Sequence, residues 1–190
     1  MSIEIIKESI AALPQYEKVP IAFRVESHFL VAPIDSGLGG LRLIEELVVP
    51  YVKDYDANES ERPIHWPKRF DISHWGILCA FKGVQRVGGA ALAWKTPEVN
   101  MLEGREDIVC LWDLRVHPDC RSKGVGHQLF TYAVEWARKR QCRRLKVETQ
   151  NINVPACRFY ARQGCELRGI NKYAYGEELN EIQLLWYLDL

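Results

Sequence analysis

The run Arg121-Ser122-Lys123-Gly124-Val125-Gly126 has the residue types and spacing that hold an anion. It lies between an apolar strand-like run, Ile108 to Val116, and an amphipathic helix-like run, Gln128 to Arg140. Gly124 and Gly126 remove side chains that would keep a ligand off the backbone, so successive N–H groups can point at a phosphate while the helix N-terminus adds its partial positive charge. Arg121 and Lys123 supply full charges at the rim. His127, directly after the second glycine, is either a further phosphate donor or a solvated helix-end side chain. A polar loop whose glycines ease a turn is the alternative for this run taken alone. The spacing excludes a Walker loop, G-x-x-x-x-G-K-[ST], and a dinucleotide fingerprint, G-x-G-x-x-G with a later acid.

Two carboxylates stand out nearby. Asp113 interrupts the apolar run Cys110-Leu111-Trp112-Asp113-Leu114-Arg115-Val116, and an acid there is either a paired structural charge or a group that binds or deprotonates an amine. Glu148 is the second candidate, with pairing to Arg115 or Lys146 as its structural alternative. Neither the cysteines nor the histidines are spaced as metal ligands, and no C-x-x-C pair occurs, so reduced structural thiols and no metal are expected.

The residues around the glycine loop narrow the chemistry. Val116-His117-Pro118-Asp119-Cys120 leads into it as V-x-P-x-x-R. Downstream, the strand end Val147-Glu148-Thr149-Gln150-Asn151 runs into Asn153-Val154-Pro155-Ala156-Cys157-Arg158-Phe159-Tyr160-Ala161-Arg162-Gln163-Gly164. R-x-x-G-x-G after a strand, followed in order by N-x-x-A-x-x-F-Y-x-x-x-G, resembles the GNAT N-acetyltransferase superfamily. The likeness covers Trp75 to Leu190 clearly and the first third by length and order of elements. Within the superfamily, the run V-E-T-Q-N-x-N-x-x-A-C-R-F-Y is similar to the streptothricin acetyltransferases.

That resemblance implies an α+β GNAT fold over residues 1–190: one domain with a mixed, mostly antiparallel sheet of about seven strands, splayed between the fourth and fifth, and about four helices. It implies acetyl-coenzyme A as donor, its pyrophosphate on Arg121 to Gly126 (Ser122 and Val125 included) and on His127. The backbone of Leu114, Arg115 and Val116 would hold the thioester carbonyl and pair with the pantetheine arm like an added strand. Asn153 would touch the coenzyme, and Tyr160 would protonate the departing thiolate, a task suited to a phenol of pKa about 10. Without the resemblance, Tyr160 reads as core and Asn153 as a helix cap. Related acetyltransferases often carry a glutamate where this chain has Trp112, which puts a simple transfer of the base role to its neighbour Asp113 in doubt. Water-aided attack would need neither Asp113 nor Glu148.

The implied reaction is direct acetyl transfer, in a ternary complex, to a primary amine of a small molecule such as an aminated antibiotic like streptothricin. Cys110 and Cys157 have no neighbouring signature of an activated thiolate. A protein or peptide N-terminus as acceptor, or a coenzyme A-binding sensor without turnover, are the alternatives.

The elements that must position these residues are also legible. The 190 residues carry 25 basic and 25 acidic side chains, so no bulk attraction to nucleic acid or a membrane is implied. No run reaches spanning length and the N-terminus lacks a cleavage pattern, which places the chain in the cytoplasm; a homodimer is left open. Ile21 to Ala32 alternates as a first strand, and Asp35 to Gly40 punctuates it. Leu41 to Tyr55 spaces Leu43, Ile44, Leu47, Val48, Tyr51 and Val52 as a helix that Pro50 should kink. Asp54, Asp56, Glu59 and Glu61 follow, either as a solvated helix end or as a surface for a cationic amine. Trp66 and Trp75 either wall a pocket or pack. Trp75 to Lys82 and Val87 to Lys95 read as a hairpin with a bulge at Gly88-Gly89, and Thr96 to Glu106 as a polar loop. Leu145 to Thr149 is a parallel strand beside Val109 to Val116. Strands near Cys165 to Tyr175 and Ile182 to Leu188 close the sheet.

Overall fold

The structure, a computed structural model, describes residues 2–176 and 179–190. In chain order the described elements are β1 (Ile3–Glu8), α1 (Leu13–Tyr16), β2 (Phe23–Pro33), β3 (Leu41–Lys53), α2 (Trp66–Arg69), β4 (Gly76–Lys82), β5 (Gln85–Ala93), β6 (Ile108–Val116), α3 (Val125–Arg138), β7 (Arg144–Gln150), α4 (Val154–Arg162), β8 (Glu166–Asn171) and β9 (Gln183–Asp189). Seven strands make one mixed sheet in the order β1-β4-β5-β6-β7-β9-β8, and β2 with β3 makes a separate two-stranded sheet. The chain divides into two compact units, Met1–Ala22 with Asp54–Val147 and Tyr187–Leu190, and Phe23–Lys53 with Glu148–Trp186.

In the first unit, β1, β4, β5 and β6 pair antiparallel in turn, and β6 then pairs parallel with β7. The β4–β5 hairpin turns at Gly83-Val84, and its register slips one residue at Val87, beside the expected Gly88-Gly89 bulge. Helix α3 begins three residues earlier than the periodicity predicts and buries Leu129, Phe130, Ala133, Val134 and Trp136, the expected stripe. Each large side chain there contributes about 1.5–3 kcal/mol by leaving water. The strand β1 has no counterpart in the sequence reading, because only Ile3 and Ile5 of its apolar residues turn inward and acidic residues break the pattern.

Trp66 and Trp75 pack rather than wall a pocket. Their rings lie 5.7 Å apart, and Trp75 lies 5.7 Å from Trp112, which meets Phe70 at 5.2 Å. Their indole N–H groups are satisfied, Trp66 by the Glu61 carbonyl and Trp75 by Thr96 Oγ1. The stretch expected to be a loop, Thr96 to Glu106, is partly ordered by a 3-10 turn at Asn100–Leu102 that buries Leu102.

In the second unit, the expected helix over Leu41 to Tyr55 is a strand. Val31 faces Leu43, Leu30 faces Ile44, and Val25 faces Tyr51 across the β2–β3 ladder. Between Val25–Tyr51 and Ser27–Leu47 the register shifts, so that Val48, Val49 and Pro50 stand opposite Glu26. Pro50 therefore sits where the ladder is already broken and its missing N–H costs no bond. Ile44, Val48, Val49 and Val52 are β-branched, which favours the extended chain that the ladder selects. The same correction removes the solvated helix end assigned to Asp54 and Asp56. Helix α4 packs against β2 and β8. No helix among the described residues is long and apolar enough to cross a membrane.

Candidate active site

The glycine loop and the start of α3 belong to the first unit. After β6 the chain makes a 3-10 turn at Pro118–Cys120, where the His117 ring accepts the Asp119 N–H at 3.3 Å. Ser122 and Gly124 then take left-handed conformations, with φ of 58° and 84°. A Cβ on Gly124 would meet nothing within 4 Å, so glycine is required there by backbone angle rather than by space. The turn delivers Val125, Gly126 and His127 as the first residues of α3. No side chain caps this helix, so its leading N–H groups keep their capacity for an external acceptor.

Arg121 does not hang at the rim as a loose charge. Its Nε donates to the Val116 carbonyl at 3.0 Å, and one Nη donates to the Ala22 carbonyl at 2.8 Å, which locks the loop to the end of β6. Lys123 Nζ donates to the Asp119 carbonyl at 2.8 Å. No carboxylate among the described residues pairs with either cation. Partial burial of Arg121 pulls its pKa below the usual guanidinium value, the signature of a desolvated charge without a counterion. Two cations without a carboxylate partner among the described residues, beside an uncapped helix N-terminus, are of the right charge to hold a pyrophosphate.

β6 alternates between two environments. Asp113 and Arg115 face the interior and are buried, while Trp112, Leu114 and Val116 are half-buried. Arg115, only 2 % exposed, donates to both Asp113 oxygens at 2.9 and 2.7 Å, to Asp56 at 2.9 Å and to the Val19 carbonyl at 3.1 Å. The Tyr16 hydroxyl donates to Asp113 at 2.5 Å. Burial, and then the Asp113 charge, push the Tyr16 phenol well above its usual pKa, so it stays a donor. Burial disfavours the charged Arg115, yet Asp113 and Asp56 outweigh it and hold the guanidinium above its ordinary value. Of the two readings left open for Asp113, this geometry supports the paired charge. On one side, Leu114, Arg115 and Val116 pair with Ala90, Gly89 and Gly88; on the other, the parallel register with β7 ends at Leu111 and Val147.

The second unit holds the other candidates. Asn153 caps α4, its Oδ1 accepting the Ala156 N–H at 3.1 Å, and Tyr160 is buried on the inner face of the same helix. Glu148 pairs with neither expected partner, since Arg115 is held by Asp113 and Asp56, and Lys146 by Glu103. Instead the Tyr175 hydroxyl donates to Glu148 Oε1 and the Gln183 amide donates to Oε2 at 2.6 Å. No cation among the described residues pairs with it. Gln150 steadies Tyr175 by donating to its hydroxyl at 2.9 Å. Burial pushes the Cys157 thiol up to about 11 and the Cys165 thiol up to about 12, so both are protonated near neutrality.

The sequence reading gives Tyr16 and Gln183 no role and names Tyr175 only as the end of an expected strand, which stops at Asn171. Tyr16 meets Asp113 across 97 residues, and nothing local to either residue announces it. Asn151, also unforeseen, braces the second unit by bonding to the Phe29 carbonyl and the Ile182 N–H.

Residues 41–165 match the sequence profile of the family described as acetyltransferase (GNAT) family. The chain is 30% identical over 184 residues to the streptothricin acetyltransferase of Escherichia coli, covering 94% of each. It is 39% identical over 152 residues to streptothricin acetyltransferase A of Bacillus subtilis, covering 75% of this chain and 76% of that one. Its fold superposes with a TM-score of 0.78, at 23% identity and over the whole of both chains, on a Bacillus anthracis protein assigned as a streptothricin acetyltransferase and solved with acetyl coenzyme A.

Proposed function

Since this chain belongs to the GNAT family of acetyltransferases, we propose that it acetylates a primary amine of a streptothricin-class antibiotic by direct transfer from acetyl coenzyme A. The observation that carries the donor half is the uncapped N-terminus of α3 beside Arg121 and Lys123, two cations without a carboxylate partner among the described residues. The acceptor half rests on the likeness to streptothricin acetyltransferases over nearly the whole chain.

When bound, acetyl coenzyme A supplies an activated thioester. The residues Arg121 to His127 hold its pyrophosphate, and the backbone of Leu114 to Val116 offers donors and acceptors to the pantetheine arm and the carbonyl. Asn153 fixes the start of α4, and Tyr160 on that helix gives its proton to the leaving sulfur. An amine with a pKa near about 10.4 must lose a proton before it attacks. Glu148 serves as that base, directly or through water, because its partners are neutral donors, while both Asp113 oxygens are engaged by Arg115. Cys157 and Cys165, protonated near neutrality, are poor nucleophiles, which supports direct attack over an acyl-enzyme.

Release of free thiol from acetyl coenzyme A with streptothricin present tests the reading. Wild-type protein should release thiol only when the antibiotic is added. Tyr160→Phe should lower kcat about a hundredfold with KM for acetyl coenzyme A within about twofold. Equal turnover in the variant would remove Tyr160 from the mechanism, and no thiol release by the wild type would remove streptothricin as acceptor.

A further inference from the structure

The interior face of β6 is built from charge where apolar residues would serve stability as well. Asp113, Arg115 and Asp56 bring two carboxylates to one guanidinium, with Tyr16 as a neutral donor. Burying such groups costs several kcal/mol in solvation, and well-packed apolar side chains of similar volume commonly replace them without loss. What the ions add is direction, since a bidentate guanidinium fixes both distance and plane. That direction is applied beyond Leu111, where β6 keeps its ladder with β5 on one side while the register with β7 has ended on the other.

Asp56 is the outer member of the network. It lies in the turn Tyr55–Ala57, where Asp54 accepts the Asp56 N–H at 3.0 Å and so sets the backbone from which its side chain reaches Arg115. Its side chain is 18% exposed against 1% for Arg115. Removing the Asp56 carboxylate leaves Arg115 paired with Asp113, so the fold keeps its buried ion pair. It frees two of the bonds that set the angle of the guanidinium.

We propose that Asp56, acting through Arg115, is a positioning residue that sets the backbone of Leu114 to Val116 for acetyl transfer. This rests on the reading of that backbone as the partner of the thioester. A shift of about 1 Å in such a group can cost up to about a hundredfold in rate, and partial release of one anchor should cost about a tenth of that. Both Asp56→Ala and Asp56→Glu are compared with the wild type for turnover, thermal midpoint and hydrogen exchange in a peptide spanning residues 111–117. Asp56→Ala should lower kcat about tenfold with KM for the antibiotic within about twofold, and should speed exchange in that peptide about tenfold, at an unchanged folded fraction. Asp56→Glu, which restores the charge, should recover kcat to within about threefold of wild type. Unchanged exchange in Asp56→Ala, or a kcat loss that only follows a loss of folded protein, would overturn the proposal. The exchange readout decides it even if the wild type acetylates no streptothricin, an outcome that would sink the acceptor assignment alone.

Discussion

Asp113 in the first unit and Glu148 in the second keep a negative charge inside the protein in different ways. Asp113 is met by a guanidinium on both oxygens and by a phenol, so its charge is cancelled as well as solvated. Glu148 is met by a phenol and an amide, which solvate the charge without cancelling it. A cancelled charge has little field left for a ligand and serves to hold geometry. An uncancelled one still attracts a proton or an ammonium group, which is what an amine acetyltransferase requires of a base. Chemical type alone would not separate the two residues, but their partners do.

The comparison breaks most severely if Arg115 is removed. Arg115→Met keeps length and bulk but leaves the buried Asp113 and the half-buried Asp56 without a cation, which should cost about 3–5 kcal/mol of stability. Urea unfolding monitored by tryptophan fluorescence measures it. A loss below about 1 kcal/mol would mean that the network is solvated well enough not to need its guanidinium, and the contrast with Glu148 would vanish.

Glu148→Gln should show the opposite pattern. Glutamine keeps an oxygen for one donor and removes the charge, so stability should stay within about 1 kcal/mol of wild type. kcat should fall about a hundredfold, the usual scale for losing a general base. Stopped-flow thiol release and the same urea titration give both numbers from one preparation. A variant that is unstable but active at the wild-type rate would reverse the two carboxylates' roles.

The parts legible in the sequence were those whose physics is local. The glycine loop could be read because backbone angle, missing side chains and the following helix all lie within a few residues, β6 because its run is apolar apart from Asp113 and Arg115, and α3 because its apolar period is sustained. The stretch Leu41 to Tyr55 misled because Leu43, Ile44, Leu47 and Val48 fit helical spacing as well as they fit a strand, and only pairing with β2 decides between them. Arg121 was legible as a charge but not as a clamp, since its carbonyl partners include Ala22, a residue 99 positions away. The role of Asp113 was undecidable for the same reason. Its neighbour Arg115 was visible two positions on, but Tyr16 and Asp56 come from segments with no mark of partnership.

The smallest expected effect tests whether the neutral donors around Glu148 matter singly. Tyr175→Phe removes the hydroxyl that donates to Oε1 and leaves the Gln183 amide on Oε2. A hydrogen bond to a charged group is worth about 1.5–3 kcal/mol when both partners are shielded, and less where water can take its place. Glu148 is half-buried, so water can replace the phenol, and the loss should come at the low end. kcat/KM for the antibiotic should fall about fivefold, with KM for acetyl coenzyme A unchanged, because the carboxylate remains charged and only its aim loosens. A larger loss than that of Glu148→Gln would give Tyr175 a role independent of the carboxylate, and the second network would then be organised around the phenol. A double variant settles the order: if Glu148→Gln already removes the function Tyr175 supports, adding Tyr175→Phe should change the rate by less than about twofold.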